Sequence, residues 1–367
     1  LFEGYGVSRG MRPFHAGLLG ADALIVLDEA HLVPPFEKLI EQIENGGDAY
    51  GPKAEEDRAS IPPLRLMSLS ATGGGRNGEV FRLTDADRDE VTMRRLDAAK
   101  ALHFDFVEPT DASLEARLAR KAWELSGEGK AAVRVIIFCD SRDSAEKTRD
   151  AIAVFAKEAN NVEIEPPELF VGARRVRERE DAKQRLIKLG FIAGGEAPTK
   201  SCFLIATSAG EVGVDLDADH LVCDLVSFER MVQRLGRVNR RGARFDTRIV
   251  VIEASAPRPK KPDAPTDAEK SKRARYVRAQ SSKALLLRCA TIEGDVDAVD
   301  ASPGTLMRLK DQVGADAIAA ASTPAPLRPA LNRALVDAWS MTSLKEHTGR
   351  PEIGPWLRGW VEDEPQT

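Results

Sequence analysis

The runs Val133-Arg134-Val135-Ile136-Ile137-Phe138-Cys139, Cys202-Phe203-Leu204-Ile205-Ala206 and His220-Leu221-Val222-Cys223-Asp224-Leu225-Val226 constrain the fold of this chain more than any other feature. Each is short and nearly continuous in apolar residues, the pattern of a strand covered on both faces of a parallel sheet. Between the first two, Ala145, Ile152, Phe155 and Ala156 fall at helical spacing within residues 143–159. Residues 168–171 and 248–253 read as further strands. The same alternation opens the chain, where the apolar runs 23–27 and 64–69 flank a helical stretch at 35–43. Strands alternating with helices imply right-handed βαβ units and a parallel sheet. The expected fold is therefore α/β with two parallel-sheet domains, at residues 1–100 and 101–255. A Pro-, Lys- and Asp-rich linker follows at 256–272, then a mainly helical accessory region at 273–367.

Polar motifs stand at the ends of these strands, where α/β sheets open the crevice that takes ligands. Asp28-Glu29-Ala30-His31 follows the first strand. Paired carboxylates there suit nucleotide hydrolysis, Asp28 holding Mg²⁺ through its water shell and Glu29 polarising the attacking water. Ser70-Ala71-Thr72 follows the second strand, offering small hydroxyls to the acidic motif and to the other domain. Thr207 and Ser208 follow the 202–206 strand, with hydroxyls and backbone amides suited to a phosphodiester backbone. Asp215 is placed for a ribose or for an arginine of the next motif. That motif, Gln233-Arg234-Leu235-Gly236-Arg237-Val238-Asn239-Arg240-Arg241-Gly242, spaces its arginines by three and four, which predicts one side of a helix. Arg237 and Arg240 are the candidate arginine fingers, of the kind that stabilises charge on a transferred phosphoryl group.

Taken in order, DEAH, SAT, VIIFCDSR, ATSAGEVGVD and QRLGRVNRRG resemble motifs II, III, IV, V and VI of the superfamily 2 helicases over residues 20–245. The resemblance implies two RecA-like domains, the first cut short at its N-terminus, with ATP between them and a nucleic-acid strand across their tops. It implies that Asp28 and Glu29 serve Mg²⁺ and water, and that His31, Ser70 and Thr72 couple the domains. Ser141, Arg142, Thr207 and Ser208 would contact nucleic acid, while Gln233, Gly213, Asp215, Arg237 and Arg240 complete the ATP site. The segments 4–19, 339–344 and 349–352 further resemble the CRISPR-associated helicase–nuclease of type I systems, in its type I-G (formerly I-U) branch. That resemblance implies ATP and Mg²⁺ as cofactors. It implies as partners an RNA-guided CRISPR surveillance complex and single-stranded DNA, the displaced strand of an R-loop.

Two elements of that family are missing from the motif set. No G-x-x-x-x-G-K-[ST] phosphate loop occurs. The nearest sequence, Gly127-Glu128-Gly129-Lys130-Ala131, precedes a strand where a phosphate loop follows one. The five histidines include no His-Asp pair, so a nuclease is expected outside this stretch. These residues are expected to be a fragment that is inactive on its own. The alternatives are another superfamily 2 motor, such as an RNA helicase or restriction translocase, or a non-catalytic scaffold derived from a helicase.

Composition agrees with a globular chain: 43% hydrophobic and 30% charged residues, with no apolar run long enough to span a bilayer. The net charge of −5 leaves any nucleic-acid contact to a local basic stripe. Cys139, Cys202, Cys223 and Cys289 form no CxxC pair, and three lie in apolar runs. They are expected to be reduced, buried thiols of a cytoplasmic protein. Trp339, Trp356 and Trp360 are expected to be core rather than base-stacking platforms.

Overall fold

The computed structural model describes residues 6–50, 54–70, 81–107, 113–159, 161–172, 176–192, 195–257, 266–340 and 352–359. The chain divides into two compact units, residues 1–79 with 324–367, and residues 80–323.

In the first unit β1 (Leu24–Leu27) pairs in parallel with β2 (Arg65–Ser68), Leu24 opposite Arg65. The helix Pro34–Asn45 covers one face by seating Ile40 against Leu64 and Leu66. The opposite face, expected to be covered, carries Leu24 and Val26 at 61% and 53% exposure. The described residues supply only one helical layer to this pair of strands. Side chains alternate across a strand, so every second apolar residue stays outside it. Trp339 and Trp356 meet edge to face at 5.0 Å and pack with Leu39, Leu331 and Val336. Both are therefore core, as their sequence context predicts; Trp360 lies outside the described residues.

The second unit is built on an eight-stranded sheet. Its strands are β3 (Ala101–Phe106), β4 (Arg134–Phe138), β5 (Glu168–Phe170), β6 (Cys202–Ala206), β7 (His220–Asp224), β8 (Arg248–Glu253), β9 (Thr291–Ile292) and β10 (Asp295–Asp300). Their order is β5-β6-β4-β7-β8-β3-β10-β9. All pairings from β5 to β3 are parallel, and β10 and β9 close one edge antiparallel. The continuous apolar runs are explained by burial on both faces. Ile136, Phe138, Leu204 and Ala206 point into one core, and Val135, Ile137, Phe203 and Ile205 into the other. The helices Leu114–Leu125 and Arg142–Glu158 cover the second face, with Trp123 stacked 6.1 Å from Phe203. Phe228, Met231, Leu285, Leu286 and Leu306 cover the first.

Three strands escape the sequence reading. In β3, Leu102 and Phe104 face the core while His103 and Asp105 pair outward with Asp295 and Arg117, so the apolar run is broken. β9 and β10 fall in the stretch read as helical. Asp300, the last residue of β10, accepts bonds from Ser302 and Thr305 and so helps fix the start of the helix Pro303–Gln312. All four cysteines are buried and free of disulfides. Burial pushes the Cys139 and Cys223 thiols up to about 12 and those of Cys202 and Cys289 up to about 11, which removes them from thiolate chemistry.

Candidate nucleotide and nucleic-acid site

Within the first unit the acidic motif leaves β1 through a strained turn. Glu29 sits in the left-handed region at φ 50°, ψ 43°. For a non-glycine residue such a conformation costs about 1–3 kcal/mol and clusters at functional sites. Its amide donates to Asp28 Oδ1 at 2.9 Å, and the Ala30 amide donates to the Leu69 carbonyl beyond β2. His31 Nδ1 lies 3.5 Å from Glu29 Oε2 and 3.2 Å from Ser70 Oγ. The structure thus joins the acidic motif to the first residue of the SAT motif through one imidazole. Thr72 lies outside the described residues. Among the described residues no lysine or arginine pairs with Asp28 or Glu29, so both carboxylates are open to a cation. No cluster of three His, Cys, Asp or Glu that could hold a metal occurs among the described residues. Two carboxylates suit a Mg²⁺ that keeps its waters and its substrate phosphates, but they do not enclose a metal by themselves.

In the second unit the predicted contact residues stand at the C-terminal ends of adjacent strands. Ser141 follows β4 and caps the helix Arg142–Glu158, its Oγ accepting from the Ser144 amide at 3.1 Å. Arg142 is exposed and donates to Glu146 at 2.9 Å. Thr207 follows β6 and is buried, its amide donating to the Phe170 carbonyl, whereas Ser208 is exposed. Of the two hydroxyl residues, Ser208 is the one that faces solvent.

The loop after Ser208 is tied to the arginine motif by Glu211, which the sequence reading did not single out. Its carboxylate is buried and accepts from Arg230 Nε at 3.0 Å, Arg230 Nη2 at 2.9 Å and Arg234 Nε at 2.8 Å. Its carbonyl accepts from the Arg237 guanidinium. Burial pushes the Glu211 carboxyl up, but Arg234 and Arg230 outweigh it and hold it below the usual carboxylate range. Arg234 is wholly buried, spans Glu211 and Asp224, and lies 5.3 Å from the Phe138 ring centroid. Burial opposes its charge, and Asp224 foremost among its neighbours keeps it protonated. A buried carboxylate at a position three residues past Ser208 has no periodic signature; only the surplus of arginines downstream hints at a partner.

The arginines do not share one side of a helix. The helix Phe228–Leu235 ends before Arg237. Lys100, buried beneath it, donates to the Leu235 carbonyl at 2.6 Å, and burial lowers that ammonium to about 8. The chain then bridges Val238 to Ala218 and turns at Asn239, at φ 44°. The Asn239 side chain fixes that turn through the Ala99 and Arg244 carbonyls and the Arg244 amide. Local spacing promised a longer helix; tertiary bonds to Lys100 and Ala218 end it. Arg237 is consequently buried, donating to the Glu211 carbonyl and, at 2.8 Å, to the Val214 carbonyl. Arg240 stays half-exposed and pairs with Asp215 at 2.8 Å, so of the two partners open to Asp215 the arginine is the one it meets. Gln233 is buried, and Gly213 takes φ 79° in the loop between Glu211 and Asp215. Residues 127–131 form the turn between the helix Leu114–Leu125 and β4, with the Gly129 amide bonded to Ser126 Oγ at 2.9 Å. That position, ahead of a strand, is the one the sequence indicates.

Glu211→Gln is expected to destabilise the second unit by about 3–5 kcal/mol, because it leaves buried guanidinium groups without their carboxylate. The carboxyl's folded pKa is depressed, so the contribution is present above its unfolded value of 4.5 and is lost as pH falls through the lower folded value. Denaturant unfolding should therefore show the wild-type advantage at pH 7 shrinking below pH 4.5. An equal ΔΔG at all pH values would contradict this linkage.

Residues 134–243 match the family of the CRISPR-associated nuclease/helicase Cas3, C-terminal. The CRISPR-associated helicase Cas3 of Thermoproteus tenax is 26% identical over 264 residues, covering 69% of this chain and 38% of that protein. The crystal structure of T. fusca Cas3 superposes with a TM-score of 0.51 at 18% identity, over 83% of this chain and 38% of that one. T. fusca Cas3–ADP gives a TM-score of 0.50 at 20% identity, over 84% and 37%. The chain thus spans well under half the length of the relatives it matches. The structural likeness is one of fold: α/β, with the parallel-dominated sheet of Cas3 helicase RecA-like domains.

Proposed function

We propose that the chain is the greater part of an ATP-dependent DNA helicase or translocase motor of CRISPR interference, in a longer polypeptide that carries the phosphate loop and a nuclease. The observation that carries the reading is Glu211. It joins the Ser208 loop to Arg230, Arg234 and Arg237 inside the segment that matches the Cas3 C-terminal family. A motor needs its nucleic-acid contacts to move with its nucleotide contacts, and a buried ion cluster linking the two loops supplies a stiff connection.

In this reading Asp28 takes Mg²⁺ through water and Glu29 polarises the water that attacks ATP. Mg²⁺ would neutralise charge on the phosphates. His31 and Ser70, with Thr72, relay nucleotide state. Ser141, Arg142, Thr207 and Ser208 follow single-stranded DNA, with Arg142 and Ser208 the exposed members. Gln233, Gly213 and Asp215 belong to the nucleotide side, and Arg237 and Arg240 are the fingers. The partner would be an RNA-guided surveillance complex of the type I-G branch, whose R-loop presents the displaced strand. That ADP-bound T. fusca Cas3 shares this fold supports a nucleotide as ligand.

No phosphate-loop sequence occurs in these 367 residues, so the backbone cradle, lysine and hydroxyl it supplies are absent from them. The 367-residue chain alone is expected to show no ATP turnover above background, with or without single-stranded DNA. Robust stimulated hydrolysis by it would overturn the fragment reading. The CRISPR role is tested separately in the longer polypeptide. ATP hydrolysis should rise on an R-loop held by the surveillance complex relative to a naked duplex. Equal rates would leave a superfamily 2 motor with no role in interference.

A further inference from the structure

The helix Asp267–Leu286 departs from the rest of the chain in charge. After Glu269 no acidic residue occurs before Glu293, although the chain as a whole carries a net charge of −5. The stretch between holds Lys270, Lys272, Arg273, Arg275, Arg278, Lys283 and Arg288. Lys270 pairs with Asp267, and Lys283 with Glu253. Among the described residues no carboxylate lies within ion-pair distance of Lys272, Arg273, Arg275 or Arg278. Lys272, Arg273 and Arg275 are exposed and Arg278 is half-buried.

A helix that merely keeps its outer face wet looks different in this same unit. The helix Arg142–Glu158 matches its basic residues with Asp143, Glu146, Asp150 and Glu158, and pairs Arg142 with Glu146 and Lys147 with Asp143. Such pairs contribute a few tenths of a kcal/mol each and keep a surface neutral. Between Lys272 and Arg278 the 267–286 helix forgoes them, and its unpaired cations repel one another. Such a run of unpaired cations attracts a multiply charged anion. From Lys272 to Arg278 the helix rises ~9 Å, a length that meets two or three phosphates at about 3.4 Å of axis per charge on each strand. Three of the four unpaired groups are guanidinium ions, whose fork fits phosphate oxygens. Arg273 also lies 5.6 Å from the Tyr276 ring centroid, leaving an aromatic edge amid the cations.

We propose that Lys272, Arg273, Arg275 and Arg278 form a sequence-independent contact to the phosphate backbone of nucleic acid, outside the helicase motifs. The proposal rests on the nucleic-acid motor reading for its choice of polyanion. The helix packs on Phe228–Leu235 through Leu285 and Leu286, so its backbone is anchored before any ligand binds.

The test is equilibrium binding of a 30-nucleotide oligo(dT) to the 367-residue chain without nucleotide, as a function of salt. Changing the four residues to Gln together should weaken binding at least 30-fold at low salt. It should also flatten the log K against log[salt] slope by about 3, at about 0.7 per phosphate released on single strands. A companion with Arg273, Arg275 and Arg278 all changed to Lys should keep the wild-type slope, which separates lost charge from lost folding. Wild-type slope and affinity in the Gln variant, or no binding by the wild type, would overturn the proposal. Competition by polyglutamate as strong as by oligo(dT) would overturn it in favour of an acidic protein partner. Failure of the motor reading would show differently, as absent ATP turnover in the longer polypeptide with this binding intact.

Discussion

Arg240→Ala in the longer polypeptide is expected to lower kcat for ATP by about 10³-fold or more, the loss typical of an arginine finger. The geometry distinguishes it from its neighbour. The Arg240 guanidinium is 46% exposed, and its one ion-pair partner among the described residues is Asp215, itself 55% exposed. An ion pair at that exposure is worth about 0–1 kcal/mol, so the guanidinium can exchange Asp215 for a phosphate oxygen at little cost. Arg237 is tethered to two backbone carbonyls and buried. Arg237→Ala should therefore lower the melting temperature as well as kcat, because it strands those carbonyls. Arg237→Lys should not restore either, since one ammonium cannot reproduce the fork. If both arginines serve one transition state, losses from the two alanine variants should be far from additive. The rival role is a contact to DNA phosphates. A DNA contact would weaken binding, flatten its salt dependence and leave turnover at saturating DNA nearly intact. If saturating single-stranded DNA restores the Arg240→Ala rate, Arg240 belongs to the nucleic-acid track instead.

Glu29→Gln should lower turnover by about 10²–10⁴-fold, the contribution usual for a positioned general base, and leave ATP affinity within a few-fold of wild type. Gln keeps the side-chain shape, and it bears the same left-handed backbone strain, so the change isolates the carboxylate. The His31–Ser70 contact does not depend on that charge and should survive. A near-normal kcat in the Gln variant would remove Glu29 from the chemistry. Retained binding is the informative half, because a collapsed acidic turn would lose both.

The sheet of the second unit was legible because burial on both faces leaves continuous apolar runs, and every such run from Arg134 to Glu253 became a strand. β3 was not, because His103 and Asp105 satisfy each other's face through Asp295 and Arg117 rather than through apolar neighbours. The first apolar run became a strand but stayed half-exposed, since a run records what could be buried and not which layers cover it. At the candidate site, motif order pointed to the carboxylates, the hydroxyls and the arginines. It could not show that Arg237 is buried while Arg240 stays half-exposed, because that difference comes from Lys100, Ala218 and Glu211. These residues lie far away in sequence and meet the arginine segment only after the sheet has formed.

The most direct test of the motor assignment is steady-state ATP hydrolysis by the longer polypeptide, with and without saturating single-stranded DNA. A rise of about tenfold or more with DNA, lost in both Glu29→Gln and Arg240→Ala, is the expected result. A rate that is the same with and without DNA, or that survives both substitutions, would contradict it.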